Sequence, residues 1–149
     1  MKLRILKTIA FSIFGLIFFG SCGGQQNEKI VESVNEPSTA DIEVIYFFGN
    51  QRCSSCVAME KFAKEAVDSA FADLTRDGKI IFRSVDITTP EGEKLADSFE
   101  VSSSSLYLVD NNPDKPEKVD MTAFGFRNAK SNREVFKQGI IDQINKFLD

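Results

Sequence analysis

Two cysteines three positions apart, Cys53 and Cys56 in the run Cys53-Ser54-Ser55-Cys56, are the residues of this 149-residue chain best suited to covalent chemistry. An apolar run ends just before them and a long amphipathic pattern starts with them, so they belong on the first turn of a helix. Unpaired backbone N–H groups and the positive end of the helix dipole stabilise a thiolate there. Arg52 adds a fixed positive charge beside Cys53. A lowered thiol pKa makes Cys53 the candidate nucleophile and Cys56, one turn inward, the candidate resolving thiol. Such a pair exchanges disulfides: a mixed disulfide on Cys53 is released by attack from Cys56. A structural staple is the plainer alternative, but a loop this short constrains the unfolded chain little. A metal or iron–sulfur site on the same sulfurs is a third reading. Such sites usually want four ligands, so a homodimer would have to share one. Exchange chemistry itself implies no cofactor.

Composition removes other chemistries. The chain has 0 His, which excludes Ser-His-Asp hydrolysis, Cys-His proteolysis and imidazole metal ligands. The formal charge is −4, with both signs spread along the chain, so no nucleic-acid partner is expected. With 42% hydrophobic and 27% charged residues the composition is that of a globular protein, and the length fits one domain. Fourteen Phe and no Trp leave the aromatic core to Phe.

The N-terminal segment reads as an address. Lys2, Arg4 and Lys7 precede an apolar run from Ile9 to Phe19, and Gly20-Ser21-Cys22 follows. This is the layout of a secretory signal, and the run is short for a membrane span, which needs about 20 apolar residues. Phe19-Gly20-Ser21-Cys22 resembles the bacterial lipobox, with Phe19 where Leu is usual. The resemblance implies cleavage before Cys22 and a diacylglycerol on its sulfur, which also accounts for the odd third cysteine. Residues 1–21 are then a lipoprotein signal peptide and 22–40 the lipidated Cys with a polar, flexible tether containing Pro37. Residues 41–149 form the domain. Cleavage removes three basic residues and no acidic one, taking the charge from −4 to −7. The expected location is the bacterial cell envelope, with the domain facing the periplasm.

The elements that must position the cysteines follow from periodicity. Ile42 to Phe48 (IEVIYFF) suits a strand buried on both faces. Ser54 to Leu74 is an amphipathic helix through Met59, Phe62, Ala63, Ala66, Val67, Ala70 and Phe71, ended near Gly78. Lys79 to Ile87 is a second strand, Pro90 opens a short helix over Glu91 to Glu100, and Ser105 to Val109 is a third strand. The loop Asp110 to Pro116 leads into a fourth strand from Val119 to Phe126, and Glu134 to Leu148 closes the chain as a helix. Gly139 inside that helix costs about 1 kcal/mol relative to Ala. The pattern β-α-β-α-β-β-α predicts an α/β fold, a mixed four-stranded sheet with helices on both faces and a right-handed first crossover. Tyr46 to Phe48 read as core, Lys79 and Arg83 as solvated, and Asp86 as turn chemistry at a strand end.

Asp41 to Leu148 resembles a thioredoxin-fold domain, on the CxxC at the head of the first helix after the first buried strand. The resemblance implies thiol–disulfide exchange through Cys53 and Cys56, with protein thiols and disulfides as partners. Three positions depart from it. Arg52 stands where the family has Trp before the motif, and Phe47 where it has a buried carboxylate that assists the resolving thiol. Aligning Phe99 to Tyr107 on the family's cis-Pro element puts Ser105 at the Pro. A cis bond before Ser would cost about 2.5–4 kcal/mol, so a trans peptide is expected, with Ser104 and Ser105 forming a differently shaped substrate ledge. The rival reading is a non-enzymatic binding or scaffold lipoprotein that keeps the fold.

Overall fold

The structure, a computed structural model, describes residues 38–149. The expected signal, Cys22 and nearly all of the tether lie outside the described residues. Four strands form one sheet: β1 (Ile42–Phe48), β2 (Ile80–Asp86), β3 (Ser105–Asp110) and β4 (Glu117–Asp120), in the order β2-β1-β3-β4. β1 is central because its run of apolar residues finds cover on both sides; six of its seven residues are buried. It pairs parallel with β2, from Ile42 opposite Ile80 to Phe48 opposite Asp86, and antiparallel with β3, from Ile42 opposite Asp110 to Phe47 opposite Ser105. β4 adds antiparallel to β3. This is the thioredoxin-like mixed sheet expected from the sequence.

The parallel pair requires a crossover, supplied by α1 (Ser54–Ala70) and α2 (Ala72–Arg76). Because successive strand residues point to opposite faces, β1 feeds two cores. Ile42, Val44 and Tyr46 pack with Met59, Ala63, Ala66 and Val67 of α1, and with Phe136, Ile140 and Ile144 of α5 (Arg133–Leu148). Ile45 and Phe47 pack on the other face with Val85, Val101 and Ala96 of α3 (Pro90–Ser98). α3 is capped by the Thr89 hydroxyl, which accepts from Gly92 N at 3.1 Å, with Pro90 in the first turn.

Three expectations need correction. The fourth strand stops at Asp120, and most of its predicted second half is a helix, α4 (Thr122–Asn128). Asp120 Oδ1 accepts from Thr122 N at 2.7 Å and Thr122 Oγ1 accepts from Leu106 N at 3.0 Å, which turns the chain out of the sheet. Beyond the turn, Met121, Gly125 and Asn128 are buried at helical spacing, so period 3.6 wins over period 2. The first long helix does not run unbroken to Leu74: it ends at Phe71 (φ −126°, ψ 33°), whose ring enters the core, and α2 starts at the next residue. Arg83 is not on a solvated face. Its Nη1 lies 2.8 Å from Glu43 Oε2, with 15% and 8% of the two side chains exposed, and Asn111 Nδ2 donates to Glu43 Oε1 at 3.0 Å. Arg83 stands opposite Ile45 on β2, and a buried carboxylate on β1 demands a cation and further donors.

Candidate active site

β1 delivers the chain to Cys53 through the short loop Gly49 to Arg52. Cys53 is the N-cap of α1, with extended backbone (φ −71°, ψ 163°), and its Sγ accepts from Cys56 N at 3.1 Å, the service that Ser or Asp performs at other helix starts. Its carbonyl accepts from Val57 N at 3.0 Å. Cys53 and Cys56 are joined in a disulfide, with Cα atoms 5.0 Å apart. The two sulfurs sit in unlike surroundings: Cys53 is exposed, whereas Cys56 is 5% exposed. The first turn of α1 carries no acidic side chain, so no carboxylate there opposes an anion on Cys53.

Arg52 has partners of its own. Its guanidinium lies 4.6 Å from the Phe48 ring centre and 6.0 Å from that of Tyr46, and it forms an ion pair with Glu60. Glu60 also accepts from the Ser84 hydroxyl. A carboxylate so close offsets part of the Arg52 charge that a Cys53 thiolate would feel. Glu60 was not singled out in the sequence; its only signal is the four-residue step from Cys56 along one helix face. Asp86 behaves as expected of a turn residue. Hydrogen bonds from Thr88 N (2.9 Å) and Thr88 Oγ1 (2.7 Å) hold its carboxyl below the usual carboxylate value, and the Arg52 charge adds to this.

A second cation arrives from far along the chain. Lys130, in the connection between α4 and α5, donates from Nζ to Ser54 Oγ at 3.0 Å. Sequence reasoning missed it, because no local pattern announces a contact across 76 positions. α4 can lie against α1 because residue 125 is Gly: a Cβ there would stand 2.7 Å from Met59 Sδ.

Ser105 opens β3 opposite Phe47, so antiparallel pairing puts it at the end of β1 from which the cysteine loop departs. Ser104 and Ser105 are 7% and 9% exposed, and Ser105 Oγ donates to Ser103 O at 3.1 Å. Both hydroxyl-bearing side chains are thus largely enclosed. The chain reaches this loop through Glu100, whose φ of 57° lies in the left-handed region. Phe47 is a fully buried ring, 5.3 Å from Phe99 and 6.2 Å from Tyr107 by centroids. Burial, and then the Asp120 carboxylate, push the Tyr107 phenol above its usual pKa. On the opposite face the buried Tyr46 hydroxyl has no hydrogen-bond partner among the described residues. No three His, Cys, Asp or Glu side chains gather into an ion-binding group among the described residues. No described helix is long and apolar enough to cross a membrane.

No family model matches the chain, and no curated protein matches it. Similar solved structures include the zinc-bound form of human ERp44, at 16% identity and a TM-score of 0.46 over 70% of this chain and 27% of that one. A thioredoxin from Thermus thermophilus is similar at 23% identity and a TM-score of 0.41, over 65% of this chain and 72% of that one. The chain thus spans about a quarter of the length of ERp44. Strand order β2-β1-β3-β4, helices on both faces and a Cys53–Cys56 disulfide at the head of α1 together make this a thioredoxin-like α/β fold bearing a CxxC pair.

Proposed function

We propose that the chain is a membrane-tethered thiol–disulfide oxidoreductase that exchanges disulfides with proteins of the bacterial cell envelope. One observation carries the reading: the disulfide at the helix start exposes Cys53 and buries Cys56. In the reduced protein, the Cys53 thiolate attacks one sulfur of a partner disulfide. A Cys53–partner S–S bond forms, and the partner's other sulfur leaves as a thiolate and takes a proton from solvent. Cys56, losing its own proton to solvent, then attacks Cys53 Sγ. The Cys53–Cys56 bond forms and the partner's second sulfur departs. The partner disulfide gains two electrons and the protein dithiol loses them. Run backwards, the same steps oxidise a partner dithiol. Helix-start amides supply most of the thiolate stabilisation, with Arg52 in a smaller role because Glu60 shares its charge. Phe47 offers no carboxylate to receive the Cys56 proton. The tether rests on the signal-like run and Cys22 of the sequence, which the anchoring chemistry requires.

Cys56→Ser removes the resolving thiol, so envelope proteins accumulate as mixed disulfides on Cys53 and are read on non-reducing gels. A Cys53→Ser control should trap none, and equal trapping by the two variants overturns the exchange reading in favour of a scaffold. Cys22→Ser should move the protein from the membrane to the soluble fraction; retention in the membrane overturns the lipid tether alone.

A further inference from the structure

The segment from Phe126 to Lys137 holds Arg127, Lys130, Arg133 and Lys137 against a single acid, Glu134, in a chain whose net charge is −4. This cationic stretch is joined to the cysteine turn by the Lys130–Ser54 hydrogen bond of 3.0 Å. Arg127 and Lys130 form no ion pair with an acidic side chain among the described residues. From Lys130 an open groove of about 440 Å³ runs between α1 and the start of α5, with Phe62 and Val135 as its apolar lining, Lys130 and Arg133 as its cations and Glu134, ion-paired with Arg133 at 2.9 Å, as its one carboxylate. The Arg133 guanidinium lies 5.4 Å from the Phe62 ring centre. Large apolar side chains are left exposed on the same elements: Val57 (47%), one turn beyond Cys53, Phe126 (43%), next to the Gly125 that touches α1, and Val135 (55%).

We infer that this cationic, apolar groove receives the polypeptide flanking the partner's reacting cysteine, and that the partner it fits carries acidic residues interleaved with an apolar one there. The inference rests on the exchange reading and adds to it a class of substrate. Two cations against one carboxylate leave the groove with an excess of positive charge, centred on Lys130, which pairs with no acid among the described residues, so an acidic, extended segment complements it and a basic one meets like charge. Reach agrees with this. Cys53 to Phe62 is nine steps of α1, roughly 13 Å at 1.5 Å per residue, which about four residues of extended chain cover at ~3.3 Å each. Acidic side chains within about four positions of the partner cysteine therefore come alongside Lys130 and Arg133, and an apolar one reaches Phe62 and Val135.

The test uses the reduced full chain and two synthetic peptide disulfides of the same length, one with Glu and Leu flanking the cysteine, the other with Lys and Leu. The acidic peptide should react about ten-fold faster, and this preference should shrink as salt screens it. Lys130→Glu combined with Arg133→Glu should invert the acidic-to-basic rate ratio, while Arg76→Glu on α2 leaves the ratio as it was. Equal rates for the two peptides with the wild-type chain overturn the inference, as does a ratio the charge reversal does not move. Should the doubly reversed chain fail to fold, the wild-type ratio and its salt dependence still decide. A small uncharged disulfide supplies the independent reference: if the wild-type chain does not reduce it, the exchange reading itself falls and takes this one with it.

Discussion

At the residue scale, the two sulfurs of one disulfide have been given different environments by a single helical turn. Cys53 caps the helix from outside and Cys56 lies against the core, the division of labour that exchange requires of attacker and resolver. On β1, Tyr46 carries a cost. Its hydroxyl is buried with no partner among the described residues, and such a group forfeits about 1–3 kcal/mol of solvation. Tyr46→Phe is therefore expected to raise stability by about 1 kcal/mol in urea denaturation; a loss of stability would show that the hydroxyl is satisfied after all. Cys53, Cys56 and Arg52 stand out in the sequence because their residue types fall in adjacent positions at a helix start. The sequence places Glu60 only on the polar face of the helix, since its ion pair with Arg52 needs the folded helix head, and Lys130 gives no signal at all, its contact being 76 positions away.

At the element scale, the packing of α4 on its neighbours depends on glycines. A Cβ on Gly139 of α5 would lie 2.5 Å from Phe124 Cζ, which explains why a residue unfavourable to helices sits in mid-helix. Gly139→Ala gains about 1 kcal/mol of helix propensity and loses about 1–3 kcal/mol to overpacking. A net destabilisation of about 1 kcal/mol is expected by thermal or urea unfolding. Phe124→Leu should restore tolerance of Ala at 139, and additive effects in the double variant would disprove the contact. The helix α4 itself was misread as strand because Met121 to Phe126 is apolar and aromatic over too short a span for periodicity to decide. Burial of Met121, Gly125 and Asn128 on one side settles it only once α1 is in place. β1, by contrast, was legible at once: a seven-residue β-branched and aromatic run has no other stable use than a central strand. Arg83 misled for the opposite reason, its charge suggesting solvent where the buried Glu43 claims it.

At the scale of the whole molecule, two cores on either face of β1 hold the domain together, and the disulfide spans only three positions. Loop-closure entropy for so short a bridge is worth less than about 2 kcal/mol. Reducing the wild-type chain should accordingly lower its unfolding free energy by no more than about 2 kcal/mol, with the cooperative transition kept. Collapse of the fold on reduction would make the pair a staple rather than a redox couple. The mixed four-stranded sheet with helices on both faces was readable because a strand-helix-strand crossover followed by a hairpin and a helix admits few arrangements, whereas the groove emerges only when the connection after α4 and the start of α5 are set beside α1.

One consequence follows from the way the helix is finished at its leading end. The sulfur that accepts the Cys56 amide is the same atom that a partner would capture. An anionic sulfur is a stronger acceptor than one bound to another sulfur, so in the proposed exchange the first turn would be tightest in the thiolate and would slacken once the bond to the partner had formed. In the proposed exchange that slackening would come as Cys56 turns toward its neighbour, giving the steps a built-in order: grip while waiting, yield while resolving.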